Sequence, residues 1–132
     1  MYDYDVVYLG SGHSCWHGAA ALAAAGKKVA LLDGDLPGGT CTNYGCDAKI
    51  LLDGPFEFME GLDRYREICI EGNVMLDWGK LMTYKKAYFE SFPAGMNGLF
   101  QTLGLTFVPA FGKIVDAHTV QAGDTTLTTE HI

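Results

Sequence analysis

A short apolar run, Val6-Val7-Tyr8-Leu9, stops at Gly10, and Gly10-Ser11-Gly12-His13-Ser14-Cys15 leads into an Ala-rich segment from Trp16 to Ala25. Four consecutive apolar residues closed by glycine fit a strand buried on both faces. The Ala-rich segment favours helix, and Gly26 is a natural stop for it. Lys27 and Lys28 suit the negative end of that helix. Val29-Ala30-Leu31-Leu32 then reads as a second strand, ending at Asp33. A strand, helix and strand within about thirty residues form a right-handed crossover with parallel strands. The chain is therefore expected to be α/β, with a parallel sheet and packed helices.

The turn between the first strand and helix matches G-x-G-x-x-G with Cys15 in the last place. Gly10 permits the tight exit from the strand. Gly12 carries no Cβ, so the backbone there can approach a pyrophosphate. The sixth position needs a small residue for helix–strand packing, a role Cys15 can fill. The N–H groups of the first helical turn, Ser14 among them, point with the positive dipole end at such phosphates. Asp33 stands where an acid accepts hydrogen bonds from ribose hydroxyls. The bland reading is a glycine-rich turn that holds nothing. The strand–turn–helix–strand–acid context favours a dinucleotide, without separating FAD from NAD.

Cys41 and Cys46 lie in Gly38-Gly39-Thr40-Cys41-Thr42-Asn43-Tyr44-Gly45-Cys46. They can bridge in a small loop, remain two buried thiols, or ligate a metal. Zinc usually takes four N or S ligands, and Cys15 and Cys69 have no ligand-like spacing, so no metal site is expected. A helix opening at Cys46 would favour its thiolate, as a dithiol that exchanges electrons requires.

Composition narrows the partners. Nine Lys and Arg against sixteen Asp and Glu leave a net charge of −7, so nucleic acid and anionic membranes are not expected partners. Gly18 to Gly26 is too short for a membrane span, and the opening Met1-Tyr2-Asp3-Tyr4-Asp5 lacks the basic region of a secretory signal. The cysteines are too sparse for an extracellular disulfide framework, and a cytoplasmic location is expected.

Further along, Gly34 to Thr40 reads as a loop. One helix is expected from about Cys46 past Leu52, another from Pro55 to about Glu67, and a third capped by Asp77 through Lys86. Pro93 opens a separate helical turn. From Leu105 the pattern becomes β, and a small antiparallel meander is expected from Phe107 to Leu127. Trp78, Tyr84, Tyr88 and Phe92 read as a core stripe, and Cys69 as a small core residue. His13 and His17 flank the turn, where either could contact a cofactor, and are read in preference as solvent-facing helix-start residues. His118 and His131 read as surface histidines.

Together, Gly10 to Cys15, Asp33 and above all Gly38-Gly39-Thr40-Cys41-x-Asn43-x-Gly45-Cys46 resemble the class I pyridine nucleotide-disulfide oxidoreductases. That family includes glutathione reductase, dihydrolipoamide dehydrogenase and mercuric reductase. The resemblance implies a Rossmann-like FAD-binding domain, with NAD(P)H as electron donor, a small disulfide substrate and a homodimer. Cys41 would be the interchange thiol that attacks substrate, and Cys46 the thiol against the flavin. Gly39 and Thr40 would approach FAD, Lys49 would stand near the flavin N5, and the backbone at Phe111-Gly112 would touch adenine. Ala48 stands where many relatives carry proline, and Ile50 at their next lysine position.

The resemblance also implies that residues 1–132 are a partial FAD domain, incomplete at the C-terminus, with the NAD(P)-binding and interface domains absent. The isolated chain is then expected to be inactive. The alternative is a non-catalytic nucleotide-binding or interaction module that retains the fold.

Overall fold

The computed structural model describes residues 1–132. Its elements run β1 (Tyr4–Leu9), α1 (His13–Ala24), β2 (Val29–Leu32), α2 (Gly39–Asn43), α3 (Cys46–Tyr65), α4 (Trp78–Phe89), α5 (Phe92–Thr102), β3 (Thr106–Val108), β4 (Gly112–Asp116), β5 (Thr119–Ala122) and β6 (Thr125–His131). The six strands order as β3-β2-β1-β6-β5-β4. β1 pairs in parallel with β2, Val7 opposite Ala30, and β2 pairs in parallel with β3, Leu31 opposite Phe107. β6 is antiparallel to β5 and parallel to β1, so it joins the two halves.

All of β2 is buried, as its unbroken apolar run demands. Side chains alternate across it. Val29 and Leu31 face α1 and α5, in a cluster with Ala19, Phe100 and Leu105. Ala30 and Leu32 face the other way, against Val7, Val120, Ala122 and Leu127. The layers are thus helices, parallel sheet and β meander: a Rossmann-like α/β fold, as expected. Each fully buried Val, Leu or Phe contributes about 1.5–3 kcal/mol, so these two clusters fix the ends of β1 and β2 where the glycine turn begins. No helix is long and apolar enough to cross a membrane.

Four expectations are corrected. Thr106–Val108 belongs to the parallel sheet; the meander comprises β4, β5 and β6 only. A short helix, α2, interrupts the loop expected over Gly34 to Thr40. The two helices expected around Pro55 are one, with Pro55 inside α3, where its missing N–H leaves the Leu51 carbonyl without its usual donor. Finally, Trp78, Tyr84 and Tyr88 are about half exposed and Cys69 is exposed, because α3 packs chiefly on α2 and α4 chiefly on α3.

Candidate functional site

The site collects at the C-terminal ends of β1 and β2. Gly10 N–H donates to the Leu32 carbonyl at 2.6 Å and holds the turn against β2. Ser11 is fully buried, and both its N–H and its hydroxyl donate to Asp33 Oδ2, at 2.9 and 2.8 Å. Its Oγ in turn accepts the Gly38 N–H at 3.1 Å. One serine therefore ties the glycine turn, the acid at the end of β2 and the disulfide loop together. Asp33 Oδ1 accepts the Asp35 N–H at 3.1 Å. A carboxylate offers about four acceptor positions, so the three bonds made leave one for a ligand hydroxyl.

The two glycine segments meet. Gly38 and Gly39 adopt φ of +93° and +70°, a region that glycine occupies without penalty. A Cβ added at Gly39 would lie 2.6 Å from the Gly12 Cα. The absence of a side chain at Gly39 thus serves a backbone-to-backbone contact between loop and turn, whereas a Cβ at Gly12 would meet Gly39 only at 3.9 Å, an ordinary contact. Gly12 caps α1, and Cys15 and Trp16 donate back to its carbonyl. Ser14 is exposed in the first turn, where N–H groups lack intrahelical partners. Cys15 packs with the cluster under α1, its Sγ 4.0 Å from the Leu9 carbonyl, as a small packing residue does.

Cys41 and Cys46 form a disulfide, with Cα atoms 4.8 Å apart. Both sulfurs therefore belong to one redox-capable unit rather than to two buried thiols. Thr40 sits at the start of α2, exposed, and its carbonyl accepts N–H bonds from Tyr44 and Gly45 to close the loop between the cysteines. Asn43 is buried, and its Nδ2 donates to the Pro37 and Gly39 carbonyls at 3.0 and 2.9 Å, which pins α2. Cys46 is the first residue of α3 and is exposed; Cys41 is half-buried. Lys49, also exposed, follows three residues later and shares that helix face. The Tyr44 hydroxyl donates to both oxygens of Asp35 at 2.9 Å, and this bond raises the phenol above the usual tyrosine range.

A cavity of about 220 Å³ opens beside the turn, lined by Leu9, Gly10, Leu32, Asp33, Phe111 and Gly112. The structure thus brings Gly10, Asp33 and Gly112 into one pocket, at the strand ends where α/β sheets bind ligands. The Phe111 ring lies over Gly34.

Sequence reasoning missed one arrangement. His13 and His17 are exposed, as expected, but they also contact each other and the disulfide loop. The His13 Nδ1 lies 3.1 Å from the His17 Nε2, and the His13 Nε2 lies 3.1 Å from the Thr42 Oγ1. The i, i+4 spacing on a helix was the available signal.

No protein-family model matches the chain. Among curated proteins, it is 28% identical over 98% of its length to a dihydrolipoyl dehydrogenase of Mycoplasma genitalium, and 27% over 98% to one of Acholeplasma laidlawii. It is 32% identical over 98% to a dihydrolipoamide dehydrogenase of Chaetomium thermophilum. The chain spans 29%, 39% and 27% of the length of these relatives, respectively. Similarity thus runs along nearly the whole chain to proteins named dihydrolipoyl or dihydrolipoamide dehydrogenase, each of which the chain spans for well under half its length.

Proposed function

We propose that this chain is the flavin-binding, dithiol-bearing part of an FAD-dependent oxidoreductase that moves electrons between NAD(P)H and a small disulfide or dithiol substrate. The observation that carries the reading is that a disulfide lies in the very loop whose Gly39 packs on the glycine turn. The residues present fit the cofactor's ADP half. Asp33 retains an acceptor position for a ribose hydroxyl, and the cavity at Gly10 and Gly112 has room for part of a dinucleotide, being smaller than the roughly 300–1,000 Å³ of complete ligand pockets. Gly10, Gly12, Ser14 and Cys15 would border the phosphates, with Gly39 and Thr40 alongside. When bound, FAD supplies a two-electron relay between the nicotinamide and the disulfide.

The thiol chemistry then rests on this chain's residues. Two electrons and two protons open the Cys41–Cys46 bond to two thiols. The Cys41 thiolate attacks one sulfur of a disulfide substrate; that bond breaks, and one half leaves and takes a proton. The Cys46 thiolate then attacks the Cys41 sulfur, re-forms the original disulfide and releases the second half. Run in reverse, the same steps oxidise a dithiol. The positive end of α3 stabilises the Cys46 thiolate, and Lys49 adds a cation on the same face. A homodimer and a reducing cytoplasmic setting belong to the same proposal.

The test combines binding and thiol counting. ADP titrated into the oxidised chain is expected to bind, and Asp33→Ala to weaken that binding. Dihydrolipoamide is expected to expose two further thiols, and Cys41→Ser to abolish that gain. A chain that binds ADP but keeps its disulfide against dihydrolipoamide is a binding module, and the proposal fails.

A further inference from the structure

We propose that His13 and His17 form a two-imidazole chelate for a late first-row transition-metal ion, Ni²⁺, Cu²⁺ or Zn²⁺, on the exposed first turns of α1 beside α2. The inference is independent of the flavin reading, because it uses no cofactor contact and neither disulfide cysteine.

Three observations carry it. First, the separation fits. A metal–nitrogen bond of about 2.0–2.1 Å places two imidazole nitrogens about 2.9 Å apart at a right angle and about 3.3 Å apart at a tetrahedral angle. The His13 Nδ1 and His17 Nε2 are 3.1 Å apart. Second, the His13 ring is already held as a ligand ring is held. Its far nitrogen, Nε2, lies 3.1 Å from the Thr42 hydroxyl. With the proton on Nε2, donated to Thr42, Nδ1 presents its lone pair towards His17. Metal-bound histidines commonly use the second nitrogen in this way, which fixes tautomer and ring orientation. Third, the His17 ring is also held: Trp16 stacks on it with centroids 3.8 Å apart. Two ligands fixed on one helix are prepaid in conformational entropy, so the second nitrogen acts at a high effective concentration.

Imidazole suits Zn²⁺, Cu²⁺ and Ni²⁺ rather than Mg²⁺ or Ca²⁺, which prefer oxygen. Both rings are exposed, so water completes the coordination. The positive end of α1 opposes a cation, and the net charge of −7 attracts one. Through Thr42, which follows Cys41, the ion would sit one hydrogen bond away from the disulfide loop.

The adjacent indole supplies the assay. The chain has two tryptophans, so Trp78→Phe leaves Trp16 as the only indole reporter. Ni²⁺ is titrated into this tag-free, oxidised chain, with Zn²⁺ added afterwards. The expected result is saturable quenching of Trp16 emission at one ion per chain, reversed by Zn²⁺. His13→Gln and His17→Gln are each expected to weaken binding about tenfold or more. Should His13→Gln fail to fold, the exposed His17→Gln carries the test. Quenching that does not saturate overturns the proposal, as does an affinity unchanged in His17→Gln. So does binding that is lost in Cys15→Ala while both histidines remain.

Discussion

Replacing Gly39 with alanine tests the contact on which the site depends. Gly39 holds φ at +70°, and a Cβ there would lie 2.6 Å from the Gly12 Cα and 3.2 Å from the Gly12 N. The left-handed conformation costs an alanine about 1–2 kcal/mol. The atoms met are backbone, which cannot swing aside as a side chain can, and forced displacement of a packed contact costs about 1–3 kcal/mol. Gly39→Ala is therefore expected to destabilise the chain by about 2–5 kcal/mol. Gly26→Ala separates the two contributions. Gly26 has φ of +83° with nothing within 4 Å of an added Cβ, so it bears only the conformational cost. Urea unfolding reads the difference. With a slope of about 1–3 kcal/mol per molar, an extra 2 kcal/mol lowers the midpoint by about 1 M. Gly12→Ala completes the series: φ is −70° and the added Cβ would sit 3.9 Å from Gly39, so stability should change by less than about 0.5 kcal/mol. Coincident midpoints for Gly39→Ala and Gly26→Ala would refute the turn-to-loop contact.

Two further outcomes follow from hydrogen-bonded ionisable groups. The Thr128 hydroxyl, then its N–H, hold the Asp3 carboxyl below the ordinary carboxylate range. Because the folded value is the lower one, the stabilisation is full above the ordinary range and is lost as pH falls through the lowered value. Thr128→Val should be less stable than the parent chain at pH 7 in urea unfolding, with the gap narrowing below about pH 4; a gap independent of pH would contradict this. Tyr44, raised by its bond to Asp35, should ionise above the usual tyrosine range in an ultraviolet phenolate titration. Asp35→Asn should move that step down, and Tyr44→Phe should remove it; loss of a step within the ordinary range would show the bond absent in solution.

What could be read in advance was local. β1, the glycine turn, α1, β2 and Asp33 form one run in which each residue's preference agrees with its neighbours', so periodicity and glycine position suffice. The placement of Cys41 and Cys46 within a Gly-rich loop likewise carries its own signal. What was hidden depends on distant partners. Thr106–Val108 resembles an edge of the meander until β2 claims it, and parallel pairing leaves no mark on a three-residue strand. Gly38 and Gly39 argue against a helix by propensity, yet α2 forms because the Asn43 side chain and the contact with Gly12 hold it. Tyr84, Tyr88 and Trp78 have core spacing, but α4 rests on α3 and leaves them about half exposed. The link from His13 to Thr42 spans 29 positions and is invisible to any helical-face argument.

The dual pairing of β6 also sets an order of events during synthesis. β1 gains β2 as a neighbour early, since Val7 and Ala30 are close in the chain. Its other edge waits for Thr129 and His131, and the Asp3–Thr128 hydrogen bonds close a separation of 125 residues. Contacts so far apart in sequence slow the search for the native state. A nascent chain therefore carries an open β1 edge until β6, Thr125–His131, has emerged from the ribosome. Through that interval the edge can pair with another strand, which makes slow translation of the second half a period of exposure to misassembly.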